Sequence, residues 1–316
     1  MPPHAPLPGT HPARNPISDA NVAEIARCRQ LIDDRLAAIF DDASEPGRLA
    51  CTIRHGLLSP GKRLRPTITL LACTQNGGDV DVAIDAACAV EMVHAASLIV
   101  DDLPAMDDAA LRRGAVTTHT VFGEGTTILA AIAMLSEAYA LIAASDGLSP
   151  ERRLRCVKYL SDSVGINGLT GGQERDIMCG CETQGTKSIA EVEQRHREKT
   201  GALFSAAAAI GGEAAKADME TIDHLSDYGT RLGLAYQAFD DLIDIQCQPG
   251  VTGKDSDQDN GKSTVVSLMG EDTAARTAAR YLDQAIKAAE AASHVRPAPL
   301  RDLALMIEQK FRTMTK

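Results

Sequence analysis

Apolar residues recur every three or four positions along most of the chain, which is the pattern of amphipathic α-helices. The pattern predicts helices over 21–39, from about residue 49, and over 82–100, 126–144, 152–165, 189–211 and 219–245, with two more near the C-terminus. The pair Gly171-Gly172 weakens the segment 168–176, so we predict helix only in its second half, followed by a loop over 179–187.

No strand-like alternation of useful length interrupts these helices. We find no repeat of fixed period and no linker after residue 20. The low aromatic content of 3% and the abundant alanine favour helices that pack closely through small side chains. The predicted fold class is therefore all-α, with one domain over residues 19–316.

The first eighteen residues are rich in proline and lack the apolar core of a secretion signal, so we predict a disordered tail over 1–18. No apolar run approaches the roughly 20 residues that span a bilayer, and we expect no transmembrane segment. Eight scattered cysteines, of which only Cys179 and Cys181 lie close together, are typical of a reducing compartment. We predict a cytoplasmic protein.

The net charge of −11 argues against a nucleic-acid partner, because such proteins need a basic surface to displace counterions from phosphates. A metal-dependent enzyme tolerates this charge. The composition therefore directs attention to clustered carboxylates.

The first cluster is VDDLPAMDDAALRRG, in which Asp101, Asp102, Asp107 and Asp108 follow an apolar run. A continuous helix would turn Asp101 and Asp107 apart by roughly 120°. Pro104 disfavours regular helix and could let the segment bulge, so that Asp107 returns to Asp101. Such paired carboxylates suit Mg²⁺, which binds through one or two carboxylates together with substrate phosphates.

The second cluster is QAFDDLID, where Asp240 and Asp244 lie four positions apart and project from one helical face. On its own this string is more typical of a solvated helix face. Several basic residues lie beside glycine or threonine turns and could reach phosphate oxygens, although each alone is more typical of a surface charge. They are Lys62, Arg65, Arg112, Arg113, Lys199, Lys254 and Lys262.

The ordered set PGKRLRP, VHAASLIVDDLPAMDDAALRRG, GGQERD, KTGALF, YQAFDDLID and GKDSDQDNGKST resembles the trans-isoprenyl diphosphate synthases over residues 25–316. It is most similar to the bacterial geranylgeranyl diphosphate synthases of the carotenoid pathway. The resemblance implies a bundle of long helices around a deep central cavity, with the two aspartate motifs facing each other at its mouth. It also implies a homodimer, and the alanine-rich helix over 126–144 could supply the interface.

The resemblance assigns roles residue by residue. Asp101 and Asp107, with Asp102 nearby, would hold two Mg²⁺ ions on the allylic diphosphate, and Asp240 assisted by Asp244 would hold a third; Mn²⁺ would suit the same oxygens. Contacts to that diphosphate would come from Arg112, Lys199 and Lys254, and the pocket for isopentenyl diphosphate from Lys62, Arg65, His94 and Arg113. Thr200 and Gln237 match positions that face the allylic cation, and Gln173 and Asp176 match a motif that borders the metal site.

Product length should depend on the residues before the first aspartate, where Ala96, Ser97 and Val93 cover roughly 6 to 12 Å of helix. Family members that stop at fifteen carbons tend to carry an aromatic residue at one of the two nearer positions. None is present, so we predict a twenty-carbon product, with a farnesyl or longer polyprenyl product as the alternative. Ala96 could also be no more than a good helix former.

Two features separate this chain from many relatives. Ala131-Ile132 stands where many have Gly-Asp, and the first motif carries two extra residues, as in bacterial-type enzymes. Other classes stay open: a non-catalytic partner subunit would be expected to lose one aspartate motif, and a terpene cyclase or head-to-head enzyme would not need the second phosphate pocket.

Overall fold

The computed structural model describes residues 15–41, 47–181, 188–246 and 264–314. Its helices are α1 (Asp19–Ile39), α2 (Arg48–Leu57), α3 (Leu64–Thr74), α4 (Val80–Asp101), α5 (Thr118–Phe122), α6 (Glu124–Ala144), α7 (Pro150–Val164), α8 (Leu169–Cys181), α9 (Ile189–His196), α10 (Ala202–Ala214), α11 (Met219–Gln246), α12 (Val265–Met269), α13 (Glu271–Ala291) and α14 (Pro299–Met314). The prediction of an all-α fold is confirmed.

The core forms around α4 and α10, which other helices surround. Helix α4 packs on α3, α6 and α10, while α10 also contacts α7 and α11. Small residues allow this close packing: a Cβ at Gly211 in α10 would lie 2.2 Å from the carbonyl oxygen of Thr69 in α3. Alanine and glycine thus set the distances between helices, as the composition predicts.

Two local predictions are wrong. Helix α8 runs through Gly171-Gly172, where the backbone leaves no room for a side chain. A Cβ at Gly171 would lie 1.7 Å from the Ile166 carbonyl oxygen in the turn before the helix. The helix predicted over 189–211 is interrupted by a π turn at Arg197–Gly201. Such single π turns inside helices are frequent at functional sites.

One short hairpin also departs from the helical prediction. Strand β1 (Leu111–Arg112) pairs antiparallel with β2 (Ala115–Val116), and Gly114 with φ of 77° makes the turn between them. The register sets Arg112 opposite Ala115. The hairpin therefore holds Arg112 just after the first aspartate cluster.

Two helices, α4 and α6, are long and apolar enough to cross a membrane, by length and composition only. The prediction that no apolar run approaches this length is therefore wrong. Buried core helices pass the same test, and 67% of the apolar window of α4 is buried in the fold. In α6 only 33% is buried, and Ile128, Leu129 and Ile132 are exposed. Helix α6 therefore carries an apolar outer face.

The N-terminal segment contacts the last helix where the structure describes it. Residues 1–14 of the predicted tail lie outside the described residues. The Asn15 carbonyl accepts a 2.7 Å hydrogen bond from Arg301, and the Ser18 amide donates to Asp302 at 3.0 Å. Helix α1 begins at Asp19, and the domain boundary stays a prediction.

Candidate active site

The first aspartate cluster forms a turn that closes on itself. Helix α4 ends at Asp101, and the chain then folds back so that the Asp107 amide donates to the Asp101 carbonyl at 2.9 Å. The Ala109 amide donates to the Asp102 carbonyl at 3.2 Å. The bulge predicted at Pro104 is present, and it returns Asp107 to the end of α4.

Asp101 and Asp102 have different environments although they are neighbours. Asp102 is only 2% exposed and accepts a 2.6 Å hydrogen bond from Arg112 Nε. Asp101 is half-buried, and burial raises its pKa to about 7; Lys199 and Arg112 oppose this rise, whereas the negative charge of Asp107 adds to it. A cation bound beside Asp101 would therefore stabilise its charged form. Asp102 instead orients the Arg112 side chain through their hydrogen bond.

The π turn places Lys199 beside Asp176, and the charge of Lys199 also acts on Asp101. Lys199 Nζ donates to Asp176 Oδ2 at 2.7 Å, and Arg195 lies 3.4 Å from the other oxygen of Asp176. Gly172 allows this approach, because a Cβ there would lie 2.4 Å from the Lys199 backbone nitrogen. The GGQERD and KTG segments are thus packed against each other.

The second aspartate cluster lies on α11 without a break in the helix. Asp240 is half-buried, while Asp241 is 7% exposed and accepts from Gln237 Nε2 at 3.1 Å. The Thr200 hydroxyl donates to Gln237 Oε1, also at 3.1 Å. The structure describes only the backbone of Asp244, one turn beyond Asp240, and Lys254 and Lys262 lie outside the described residues.

Basic residues of α3 and α4 form a pocket that the charge of Asp240 also reaches. Arg65 Nη1 is 3.3 Å from His94 Nε2, and its guanidinium stands 4.4 Å from the centre of the Phe204 ring. Burial lowers the pKa of Arg65 to about 10, although the charges of Glu91 and Asp240 partly oppose this change. Burial and the nearby arginines also hold the pKa of His94 well below its usual value.

Buried positive charge that the nearby Glu91 and Asp240 compensate only in part is typical of a phosphate pocket. Arg65 Nε is buried and has no hydrogen-bond partner among the described residues. The negative pole that this pocket lacks would be supplied by a diphosphate.

Lys62, in the loop before α3, and Arg113, in the turn between β1 and β2, border the pocket. The Lys62 ammonium donates to the Tyr236 hydroxyl at 2.5 Å and lies 5.0 Å from the centre of that ring. Arg113 donates to the Pro60 carbonyl at 3.0 Å. The structure thus brings Lys62, Arg65, His94 and Arg113 to one region, and their role in binding isopentenyl diphosphate stays a prediction.

Sequence reasoning missed Arg63, which holds this loop. Its side chain is 5% exposed and bonds Asp33 at 2.7 Å and Glu91 at 2.8 Å. Its backbone is left-handed, with φ of 46°, and Arg63 Nη2 also donates to the Ser59 carbonyl. No sequence pattern distinguishes the buried Arg63 from the neighbouring Lys62 and Arg65, although the Ser-Pro-Gly turn before it signals an unusual backbone.

The residues predicted to control product length lie where α4 enters the core. Val93 and Ala96 are each 2% exposed, and the half-buried Ser97 hydroxyl donates to the His94 carbonyl. Their role stays a prediction.

The side chains of this site suit Mg²⁺ that is bound jointly with a diphosphate. Among the described residues no three histidine, cysteine or acidic side chains form a group that could hold a metal by themselves. Mg²⁺ usually keeps waters and takes only one or two carboxylates when phosphates complete its shell. The buried oxygen Oε1 of Gln173, which has no hydrogen-bond partner among the described residues, is an acceptor for such a water.

Fold and site together define an all-helical protein with two carboxylate clusters and a separate cationic pocket. The sequence profile of the polyprenyl synthetase family matches residues 47–299. The chain is 44% identical to a geranylgeranyl diphosphate synthase of Pantoea ananas, over 76% of this chain and 78% of that one. It is 40% identical to the one of Pseudescherichia vulneris, over 84% and 85%.

The fold is also similar to a solved geranyltransferase of Helicobacter pylori complexed with magnesium and isoprenyl diphosphate. The TM-score is 0.80 at 26% identity, covering 94% of this chain and 100% of that one. The chain therefore belongs to the polyprenyl synthetase family.

Proposed function

We propose that this protein is a Mg²⁺-dependent prenyltransferase that condenses isopentenyl diphosphate head-to-tail with allylic diphosphates, up to farnesyl diphosphate, to form geranylgeranyl diphosphate. The observation that supports the proposal is that charged side chains gather in two separate regions, each of which would bind one diphosphate. One contains Asp101, Asp107 and Asp240 with Lys199 and Arg112. The other contains Lys62, Arg65, His94 and Arg113.

Each region suits one substrate. The aspartates, assisted by Asp244, would hold three Mg²⁺ ions, and Mn²⁺ would suit the same oxygens. Lys254 would contact the allylic diphosphate. When bound, these ions neutralise the charge that develops on the departing diphosphate. Lys199 and Arg112 hold the same diphosphate through charge-assisted hydrogen bonds.

The metal-free pocket holds the second diphosphate. Neutral His94 and cationic Arg65 donate to it, while Lys62 can leave Tyr236 for a phosphate oxygen. The double bond of isopentenyl diphosphate then attacks the allylic cation, and the proton that is lost passes to the released diphosphate. Thr200 and Gln237 present oxygen dipoles to the cation, which stabilise it.

Three finer features belong to the proposal. The small residues Ala96 and Ser97 would admit a chain of twenty carbons, because neither of these positions carries an aromatic side chain. The exposed apolar face of α6, with Ile128, Leu129 and Ile132, suits a homodimer interface. The protein acts in the cytoplasm on soluble isoprenoid diphosphates.

The test is a product assay. Purified protein with Mg²⁺, farnesyl diphosphate and labelled isopentenyl diphosphate should give a C20 diphosphate, identified by chromatography of the dephosphorylated product. Asp240→Ala is the matched inactive control. No incorporation by the wild type, as expected of a non-catalytic subunit, would overturn the proposal; products at C15 or beyond C20 would overturn only the length.

A further inference from the structure

We propose that Asp241 is a positioning residue that fixes the direction of two hydrogen bonds, from Thr200 to Gln237 and from Gln237 to Asp241. As a result, the lone pairs of the Thr200 hydroxyl face the substrate and its proton does not. The inference rests on the proposed function, since it concerns how that site meets a carbocation. It gives a role to an aspartate that the resemblance leaves without one.

The direction follows from the chemistry of the three groups. A carboxylate only accepts hydrogen bonds, so the amide of Gln237 must turn its NH2 group towards Asp241, 3.1 Å away. Its carbonyl oxygen then faces Thr200, also at 3.1 Å. The single hydroxyl proton of Thr200 is donated to that oxygen, which leaves only lone pairs for other directions.

Asp241 is held firmly enough to impose this order. It is 7% exposed, and its second oxygen accepts a hydrogen bond from the Val265 amide at 3.3 Å. Nε2 of the buried His196 lies 3.9 Å from the same oxygen. The carboxylate is therefore anchored between α11, α12 and α9.

The direction matters because of the charge that forms next to it. Thr200 follows Lys199 in the π turn, and the charge of Lys199 acts on Asp101. A hydroxyl oxygen presented to a carbocation stabilises it, whereas a hydroxyl proton presented there would oppose ionisation. Fixed dipoles of this kind contribute most in a site that excludes water.

Asp241→Asn removes the constraint with little change of shape. An asparagine can offer its own NH2 to Gln237, so the amide of Gln237 can flip and offer NH2 to Thr200. The Thr200 proton is then free to turn towards the substrate. We expect kcat to fall about 100-fold, the usual size of losing one such oriented dipole.

The control is the exchanged pair Gln237→Glu with Asp241→Asn. It keeps the net charge, and the carboxylate introduced at position 237 accepts both from the amide introduced at position 241 and from Thr200, which restores the original direction. We expect the exchanged pair to recover at least about a tenfold higher kcat than Asp241→Asn alone. Gln237→Glu alone should be impaired, because two carboxylates then face each other.

A second readout separates positioning from metal binding. Calorimetric binding of Mg²⁺ with inorganic diphosphate to Asp241→Asn should stay within about threefold of the wild type. The proposal is overturned if this variant keeps its kcat, if it loses Mg²⁺ and diphosphate binding, or if the exchanged pair is folded and no more active. If Asp241→Asn does not fold, the kcat of the exchanged pair decides alone. An inactive wild type would count against the proposed function instead.

Discussion

The two Asp-Asp pairs of this protein use identical residues in different ways. In each pair the first carboxylate, Asp101 or Asp240, is half-buried, and the second, Asp102 or Asp241, is almost fully buried. The first pair lies where α4 ends and the chain folds back, whereas the second lies inside the continuous helix α11.

The partners of the buried members also differ. Asp102 accepts from the side chain of Arg112, and the partners of Asp241 include the amides of Gln237 and Val265. Lys62 and Arg63 form a third pair of neighbours, with positive charge, in which the first residue is again the more exposed one and the second is buried. We infer that the outward residue of each pair meets the ligand and that the inward one sets the position of its neighbours.

The largest effect should come from the outward aspartates. Asp101→Ala or Asp240→Ala should lower kcat by about 1,000-fold or more, because charge on the leaving diphosphate is then poorly neutralised. The melting temperature of the metal-free protein should stay the same or rise, because a buried carboxylate near like charges is removed. A steady-state assay and a thermal scan check both statements, and a large fall in melting temperature would contradict the account.

Arg63→Met tests the inward residue of the cationic pair. It leaves Glu91 buried at 3% exposure without its partner, which should lower the free energy of unfolding by about 3 kcal/mol. KM for isopentenyl diphosphate should rise more than KM for the allylic substrate, since the loop that carries Lys62 loses its anchor. Urea denaturation and separate KM measurements decide this.

Two controls accompany the Arg63 variant. Arg63→Lys should recover part of the stability, because it keeps the charge beside Glu91. Equal rises of both KM values would show that the loop does not serve one pocket in particular.

Asp102→Asn should have a smaller effect, and mainly on binding. Burial raises the pKa of Asp102 in spite of the ion pair with Arg112, so the pair contributes little to folding and the melting temperature should hardly change. Arg112 would lose its fixed direction, and KM for the allylic diphosphate should rise about tenfold. A kcat loss as deep as that of Asp101→Ala would place Asp102 among the metal ligands instead.

The pH dependence of stability without metal gives a further test of the outward Asp101. The Asp101 pKa is raised to about 7 in the fold, whereas an unfolded aspartate ionises near 4. Between these values the folded state binds more protons, so this group's contribution to stability is lost as pH rises through that window. Asp101→Asn should therefore gain stability over the wild type from pH 5 to pH 8 in chelator-treated samples, and a constant difference would contradict the raised pKa.

Much of the fold can be predicted from local sequence. The bounds of α1, α6, α7 and α11 differ by no more than two residues from the predicted ones, because periodic apolar positions and clear end signals agree. Ser149, for example, caps α7 through a hydrogen bond to the Arg152 amide, and Pro150 begins the helix.

The remaining features depend on contacts between distant segments. Helix α8 crosses a Gly-Gly pair because Gly172 must approach the backbone of Lys199, and the π turn depends on the same packing. For the site, motif spacing identifies which residues gather. It cannot show that Asp102 turns inward and Asp101 outward, since neighbouring identical residues differ only in their tertiary surroundings.

The most direct test of this division of labour is Mn²⁺ binding, followed by electron paramagnetic resonance with inorganic diphosphate present. It compares the wild type with Asp101→Asn, Asp102→Asn, Asp240→Asn and Asp241→Asn. We predict that the Asp101 and Asp240 variants lose bound Mn²⁺, while the Asp102 and Asp241 variants retain the wild-type amount. Equal loss of Mn²⁺ in the inward and outward variants would contradict the account.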